Sequence, residues 1–292
     1  MWFSTHQIDA QQMQALAELS AICKASDGNI IPYYPHIISQ YRSTPCNILY
    51  YQKQQLVGFL SVFFFYSDAC EIAMMVSPRF RKKGIAQRMV GGIMPLLQTQ
   101  GIESIIFSTP GDRNKAWFVA KGFSYHNSEF EMQMLPQQPL LLSSNDVVIR
   151  QAVDSDLESL CFIDKCCFSS PQADSINRFT ELLQSRKHKL FIVVYQEQII
   201  GKAHLFFLEN QSRLSDIAIL PAFQKRGYGS QLIKFCVDYA YVNQNLPVFL
   251  DVETTNQTAL QLYSNIGFVI TNARDFWIIS LNDLRRVYKH KH

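Results

Sequence analysis

One segment occurs twice in this chain of 292 residues, and the duplication limits the fold more than any other feature. The first copy reads Val76-Ser77-Pro78-Arg79-Phe80-Arg81-Lys82-Lys83-Gly84-Ile85-Ala86, and the second Ile219-Leu220-Pro221-Ala222-Phe223-Gln224-Lys225-Arg226-Gly227-Tyr228-Gly229. Pro, Phe and the first Gly match at one separation, 227 − 84 = 143. Further on, Lys121-Gly122-Phe123 and Ile266-Gly267-Phe268 match at 267 − 122 = 145. Two anchors that stay in step over such a distance predict a tandem duplication of a unit close to half the chain. The turn-forming stretch Pro136 to Asp146 is the expected linker, dividing the chain into 1–140 and 146–292.

Each half carries the same coarse order of elements. In the second, Val147 to Ala152 reads as a strand and Asp154 to Cys167 as a helix, followed by a helix near Ser175 to Ser185. Leu190 to Tyr195, Ile199 to Leu208 and Leu214 to Leu220 form an expected antiparallel meander. A helix from Tyr228 to Val242, the strand Val248 to Val252, a helix from Asn256 to Asn265 and two closing β-runs, Phe268 to Thr271 and Phe276 to Leu281, complete the half. The first half matches with the runs Asn47 to Tyr51, Leu56 to Tyr66 and Glu71 to Val76, a helix from Gly84 that Pro95 is expected to kink or end, and Ser104 to Ser108. This order predicts an α/β fold of α+β type, each half built on a mixed, mainly antiparallel sheet flanked by helices.

Composition removes several classes of function. Apolar residues make up 48% and charged residues 17%, which supplies two cores and excludes wholesale disorder. A net charge of +3 is too small for general phosphate attraction, so no nucleic-acid partner is expected, and the short basic clusters Arg79 to Lys83, Arg186 to Lys189 and Lys289 to His292 do not change that. The longest aromatic apolar run, Leu56 to Tyr66, falls short of the roughly 20 residues of a spanning helix, and the first residues lack a signal-peptide pattern. A cytoplasmic protein without membrane contact is expected. Seven cysteines, an odd number lying mostly in apolar runs, argue for buried free thiols over disulfides, and the Cys161, Cys166, Cys167 group lacks the CxxC pairs or His partners of a zinc site.

A strand that runs into a glycine-containing loop opening a helix gathers backbone N–H groups at the positive end of a helix dipole. Both copies predict such an anion site, with Lys225 and Arg226 flanking one and Arg79, Arg81, Lys82 and Lys83 the other. A basic solvated turn would suffice to explain one isolated copy; the duplicated spacing favours the site. Neither the Walker nor the dinucleotide fingerprint fits.

At these residues the chain resembles the GNAT superfamily of N-acetyltransferases, whose loop reads [QR]-x-x-G-x-[GA]. Gln224 to Gly229 is the full form and Arg81 to Ala86 the allowed variant. The resemblance implies two tandem domains of this fold that bind acetyl-CoA. It implies cofactor contacts at Ile217, Ala218, Ile219, Gln224, Lys225, Arg226, Gly227, Tyr228, Gly229, Ser230 and Asn256, and in the first half at Met75, Val76, Arg81, Lys82, Lys83, Gly84, Ile85 and Ala86.

Asn256 to Phe268 is similar to the family's second block, N-x-x-A-x-x-x-Y-x-x-x-G-F, which implies a cofactor contact for Asn256 and a general-acid role for Tyr263. Aligning on Gly122-Phe123 puts Phe118 where Tyr263 stands and Gly111 where Asn256 stands. Phenylalanine donates no proton, so the second half is the expected catalyst, with Asp216, Asp251 and Glu253 as candidate bases and Glu71 on a related strand of the first half. The implied reaction is acetyl transfer from acetyl-CoA to an amine acceptor. The alternative is an acyl-CoA-binding or interaction module without turnover, which suits the first half better.

Overall fold

The computed structural model describes residues 1–111, 113–135, 146–168 and 175–289. Most of the expected linker, and the tail beyond residue 289, lie outside them. The chain forms two compact units: unit 1 holds Met1–Phe130, Glu253–Thr255 and Asn272–His292, and unit 2 holds Glu131–Val252 and Asn256–Thr271.

Unit 1 contains β1 (Trp2–Thr5), β2 (Asn47–Gln52), β3 (Gln55–Phe63), β4 (Ala69–Val76), β5 (Ser104–Pro110), most of β6 (Ser124–Met134) and most of β12 (Val269–Ser280). The sheet order is β1-β2-β3-β4-β5-β12-β6. Its helices are α1 (Ala10–Asp27), α2 (Pro35–Ile38), α3 (Ile85–Thr99), α4 (Lys115–Ala120) and α9 (Leu281–Lys289). Asp9 starts α1 through a capping box with Gln12, which satisfies end N–H groups that the helix itself leaves unpaired. Of the two outcomes expected at Pro95, a kink or an end, the end does not occur; the helix continues four residues past it to Thr99, anchored by buried Met89, Val90, Ile93 and Leu97. Burial of that apolar stripe outweighs the one backbone hydrogen bond a proline removes.

Unit 2 contains β7 (Val148–Gln151), β8 (His188–Tyr195), β9 (Gln198–Phe207), β10 (Ser212–Ile219) and β11 (Val248–Glu253, to Val252 here). β8 to β10 pair antiparallel in sequence, as the meander reading requires, β7 adds to them antiparallel on β8, and β10 pairs parallel with β11. The helices α5 (Leu157–Cys167), α6 (Ser175–Gln184), α7 (Tyr228–Gln244) and α8 (Gln257–Ile266) complete it.

The units cut the chain differently from the division at 140 and 146. The two closing β-runs of the second half are one continuous strand, β12, and its residues 274–280 pair antiparallel with β5, from Arg274↔Pro110 to Ser280↔Ser104. Trp277, Ile279 and Leu284 lie in the same core as Phe107, Phe118 and Ile93. Residues 131–134 of β6 belong in turn to unit 2, where β11 is the neighbouring strand. Each half therefore lends the end of its last strand to the other's unit. Strand pairing is set by register and apolar burial, neither of which requires the nearest strand in sequence.

Candidate functional site

The two glycine loops have one backbone design. Each leaves its strand through a single 3-10 turn, Pro78–Phe80 or Pro221–Phe223, and then places an extended residue, Arg81 or Gln224. A left-handed lysine follows, Lys82 at φ 62° and Lys225 at φ 60°, and then a left-handed glycine, Gly84 at 76° and Gly227 at 85°. That glycine precedes the first turn of α3 or α7, and no side chain caps either helix start. The early N–H groups of both helices are thus left for water or a ligand, as the anion-site reading requires.

Side chains brace the loops identically. Arg81 Nε donates to Val76 O at 2.9 Å and Gln224 Nε2 to Ile219 O at 2.8 Å. The same carbonyls accept from Cys23 Sγ at 3.7 Å and Cys167 Sγ at 3.6 Å, which extends the repeat back to α1 and α5. Lys83 Nζ lies 5.1 Å from the Phe80 ring centre and the Arg226 guanidinium 5.5 Å from that of Phe223. Of the expected cofactor contacts, Arg81 and Gln224 therefore spend side-chain donors on the loop itself. Tyr228 is buried and donates its hydroxyl to Asp146 at 2.9 Å, so it offers backbone only. All seven cysteines are free thiols; Cys166 is exposed, against the expectation of burial.

Below each loop the parallel strands part. β4 and β5 are laddered from Ala69↔Ser104 to Ile72↔Phe107, and β10 and β11 only at Ser212↔Val248 and Arg213↔Phe249. Beyond those pairs β4 and β10 run on to the glycine loops, leaving a cleft at the carboxyl ends of parallel strands, where ligands of such sheets bind. In unit 1 the cleft opens into a cavity of about 240 Å³. Met75, Val76, Arg81 and Ala86, four of the expected contacts, line it together with Cys23, Asp27, Ser108, Asn114 and Phe118. Its edge is tied by Asp27, which takes both nitrogens of Arg81 at 2.7 and 2.6 Å.

The second blocks also correspond. Phe123 N–H donates to Phe118 O at 3.0 Å, and Phe268 N–H donates to Tyr263 O at the same distance, so Phe118 does occupy the place of Tyr263. Desolvation by burial pushes the Tyr263 phenol up to about 12. Its ring lies 5.9 Å from Phe268. Asn256 is the N-cap of α8, accepting from Ala259 N–H at 3.0 Å, so its side-chain oxygen is in use.

Each candidate base has polar partners of its own. Asp216 sits at φ 51° in a bulge where the β10–β9 register shifts between Ser215 and Ala218, a feature absent from the regular β3–β4 pairing. Gly201 pairs with Ile219 just past the bulge, and a Cβ there would stand 2.8 Å from Ala218 O, so this close approach needs glycine. The Asp216 carboxylate is bonded to Arg178 and lies 4.0 Å from His204. Asp251 pairs with Arg213 at 3.2 Å, while Glu253 is exposed at the end of β11 and accepts from Thr255 at 3.5 Å.

Around the bulge lies a buried charged group that the sequence reading missed. Lys202, fully buried, pairs with Asp164 at 2.6 Å and lies 5.2 and 5.0 Å from the ring centres of Phe168 and Phe179. Arg178 reaches Asp164 at 3.5 Å. His204 shares a 2.7 Å hydrogen bond with His188, and burial lowers its pKa to about 4. The available signal was Lys202 and His204 alternating on one face of an otherwise apolar strand. At the corresponding positions of unit 1 stand Phe59 and Ser61.

Among the described residues no helix is long and apolar enough to cross a membrane. The profile of the acetyltransferase (GNAT) family matches residues 13–123 and again 157–268. The [ribosomal protein bS18]-alanine N-acetyltransferase of Haemophilus ducreyi is 27% identical over 123 residues, 41% of this chain and 81% of that protein. A GCN5-related N-acetyltransferase from Sphaerobacter thermophilus has the same fold with a TM-score of 0.78 at 15% identity, over 96% of both chains. A tandem GNAT protein from the clavulanic acid biosynthesis pathway reaches 0.72 at 11% identity, over 96% of this chain and 98% of its own. With both loops, both clefts and both second blocks in register, this chain belongs to the GNAT acetyltransferase family, twice over.

Proposed function

We propose that the protein transfers an acetyl group from acetyl-CoA to a primary amine, with the chemistry in unit 2. The observation that carries the assignment is Tyr263 against Phe118: one half has a phenol at that place, the other an aromatic ring with no proton. The cofactor fits the residues present, because an uncapped helix start behind a left-handed glycine suits a pyrophosphate and the parted strands suit an extended arm. When bound, acetyl-CoA supplies the acyl group and a thiolate that needs a proton. Tyr263 keeps its proton on Oη across the physiological range, since burial holds it near 12, and is suited to deliver it. Gly227, Tyr228 and Gly229 contribute backbone N–H groups, and Lys225 and Arg226 contribute charge.

For the amine's proton, Asp216 is a poor base because Arg178 already occupies it. A water is the better acceptor, because Glu253 belongs to unit 1. Unit 1 is a binding module in this reading: it keeps the loop, the cleft and a cavity but lacks the phenol. The test is release of free thiol from acetyl-CoA in the presence of a panel of amines. The panel includes polyamines, amino sugars and a peptide with N-terminal alanine, the last prompted by the name of the Haemophilus ducreyi relative. Turnover that survives Tyr263→Phe but is abolished by a lesion at Gly84 would move the chemistry to unit 1.

A further inference from the structure

Ser108 lines the cavity of unit 1, is 6% exposed, and its hydroxyl has no hydrogen-bond partner among the described residues. It is the first residue of β5 beyond the last ladder pair, Ile72↔Phe107, and so stands where the strands begin to part. Of its cavity neighbours in sequence, Phe107 offers no side-chain hydrogen bond and Thr109 spends its hydroxyl proton on Asp275 O at 3.3 Å, and much of the remaining wall is apolar, including Ile30, Ile31, Met74 and Phe118. An unpaired buried hydroxyl is destabilising, a penalty that a ligand with an acceptor at that depth removes. Matching ladder starts, Ala69↔Ser104 and Ser212↔Val248, put Val252 of unit 2 at the corresponding position. The hydroxyl is a property of unit 1 alone.

We infer that the cleft of unit 1 is a second acyl-CoA site that reads the acyl group, with Ser108 Oγ donating to the thioester carbonyl oxygen. The inference rests on the family reading of the loops, and adds to it the residue that separates an acylated from a free cofactor. No bond is made or broken there, since Phe118 supplies no proton. Unit 1 would thereby respond to whether the cofactor carries its acyl group, while unit 2 consumes that group.

The experiment is calorimetric titration of the full chain with acetyl-CoA and with CoA. Unit 2 is disabled by Gly229→Glu, which sets a carboxylate at the start of α7 where a new Cβ has room. One site should remain, preferring acetyl-CoA over CoA about tenfold, the worth of one well-made hydrogen bond. Ser108→Ala, which removes only the hydroxyl, should erase that preference by weakening acetyl-CoA while leaving CoA within twofold. The thermal midpoint of Ser108→Ala should hold or rise, because an unpaired hydroxyl is removed; a structural serine would give a fall. Unchanged acetyl-CoA affinity in Ser108→Ala, or loss of all binding in Gly229→Glu while the unaltered chain binds, overturns the inference. If the unaltered chain binds acetyl-CoA in neither unit, the cofactor reading of both halves falls with it.

Discussion

Gln224 donates its side-chain N–H to the carbonyl of Ile219, five residues earlier, at 2.8 Å, and ties the glycine loop to the strand it leaves. Arg81 does the same to Val76 at 2.9 Å. The variable first position of the loop signature is thus a brace that either side chain can supply. Gln224→Ala should weaken acetyl-CoA binding to unit 2 by about tenfold through a loosened loop, while Gln224→Arg should hold it within a few-fold. Titration of both variants against the unaltered chain decides this, and equal weakening by both would refute the bracing role.

Replacing Gly227 by valine forces a β-branched residue to φ 85° at the start of α7. The expected cost is about 1–2 kcal/mol of stability, together with loss of acetyl-CoA binding in unit 2. Chemical denaturation and calorimetry read the two effects separately.

Tyr263→Phe should lower kcat by at least about 10²-fold with KM for acetyl-CoA nearly unchanged, the range of a lost general acid. The variant should fold normally, since the ring that contacts Phe268 is kept. Because the phenol lies near 12, the activity of the unaltered enzyme should show no loss of this proton donor up to about pH 10.

The buried pair of Lys202 and Asp164 should behave asymmetrically. Lys202→Met alone leaves a buried carboxylate short of a partner and should cost about 3–5 kcal/mol, whereas Lys202→Met with Asp164→Leu should recover much of it. Arg178 still reaches Asp164, so the single variant belongs at the lower end. Thermal midpoints of the two variants test this, and a double variant no more stable than the single would contradict it.

His204 ties stability to pH. Its folded pKa, about 4, lies below the ordinary histidine value, so between the two only the unfolded chain takes up the proton. Stability should therefore fall as pH drops from about 6.5 toward 4 and level off below, by at most about 3 kcal/mol from this residue. His204→Gln should flatten that part of the profile in denaturation midpoints taken across the range.

The duplicated loops were legible because glycine, proline and a basic run at fixed spacing describe a local backbone path, and φ recurs to within about ten degrees at Gly84 and Gly227. The meander from β8 to β10 was legible for the same reason: alternation and a short turn are local. The partner of β12 was not, because nothing between Val269 and Ser280 says which strand it will join. Its apolar residues fit any core of the right register, and the core that took them contains Phe107 and Phe118. The bulge at Asp216 and the Lys202 group were hidden differently. A lone lysine in an apolar strand gains meaning only once Asp164 and two phenylalanines from other helices and loops close around it. Ser108 carries no sequence signal; its unpaired hydroxyl exists only in three dimensions.

The placement of residues 272–289 in unit 1 has a consequence for biosynthesis. During translation, residues 1–130 emerge long before Trp277, Ile279 and Leu284, which their core requires. The first unit to be made is therefore the last to be finished, and its β5 edge and the rings of Phe107 and Phe118 wait uncovered while the second unit is synthesised. A premature stop after Thr271 would spare the unit nearer the stop and cripple the one far upstream of it.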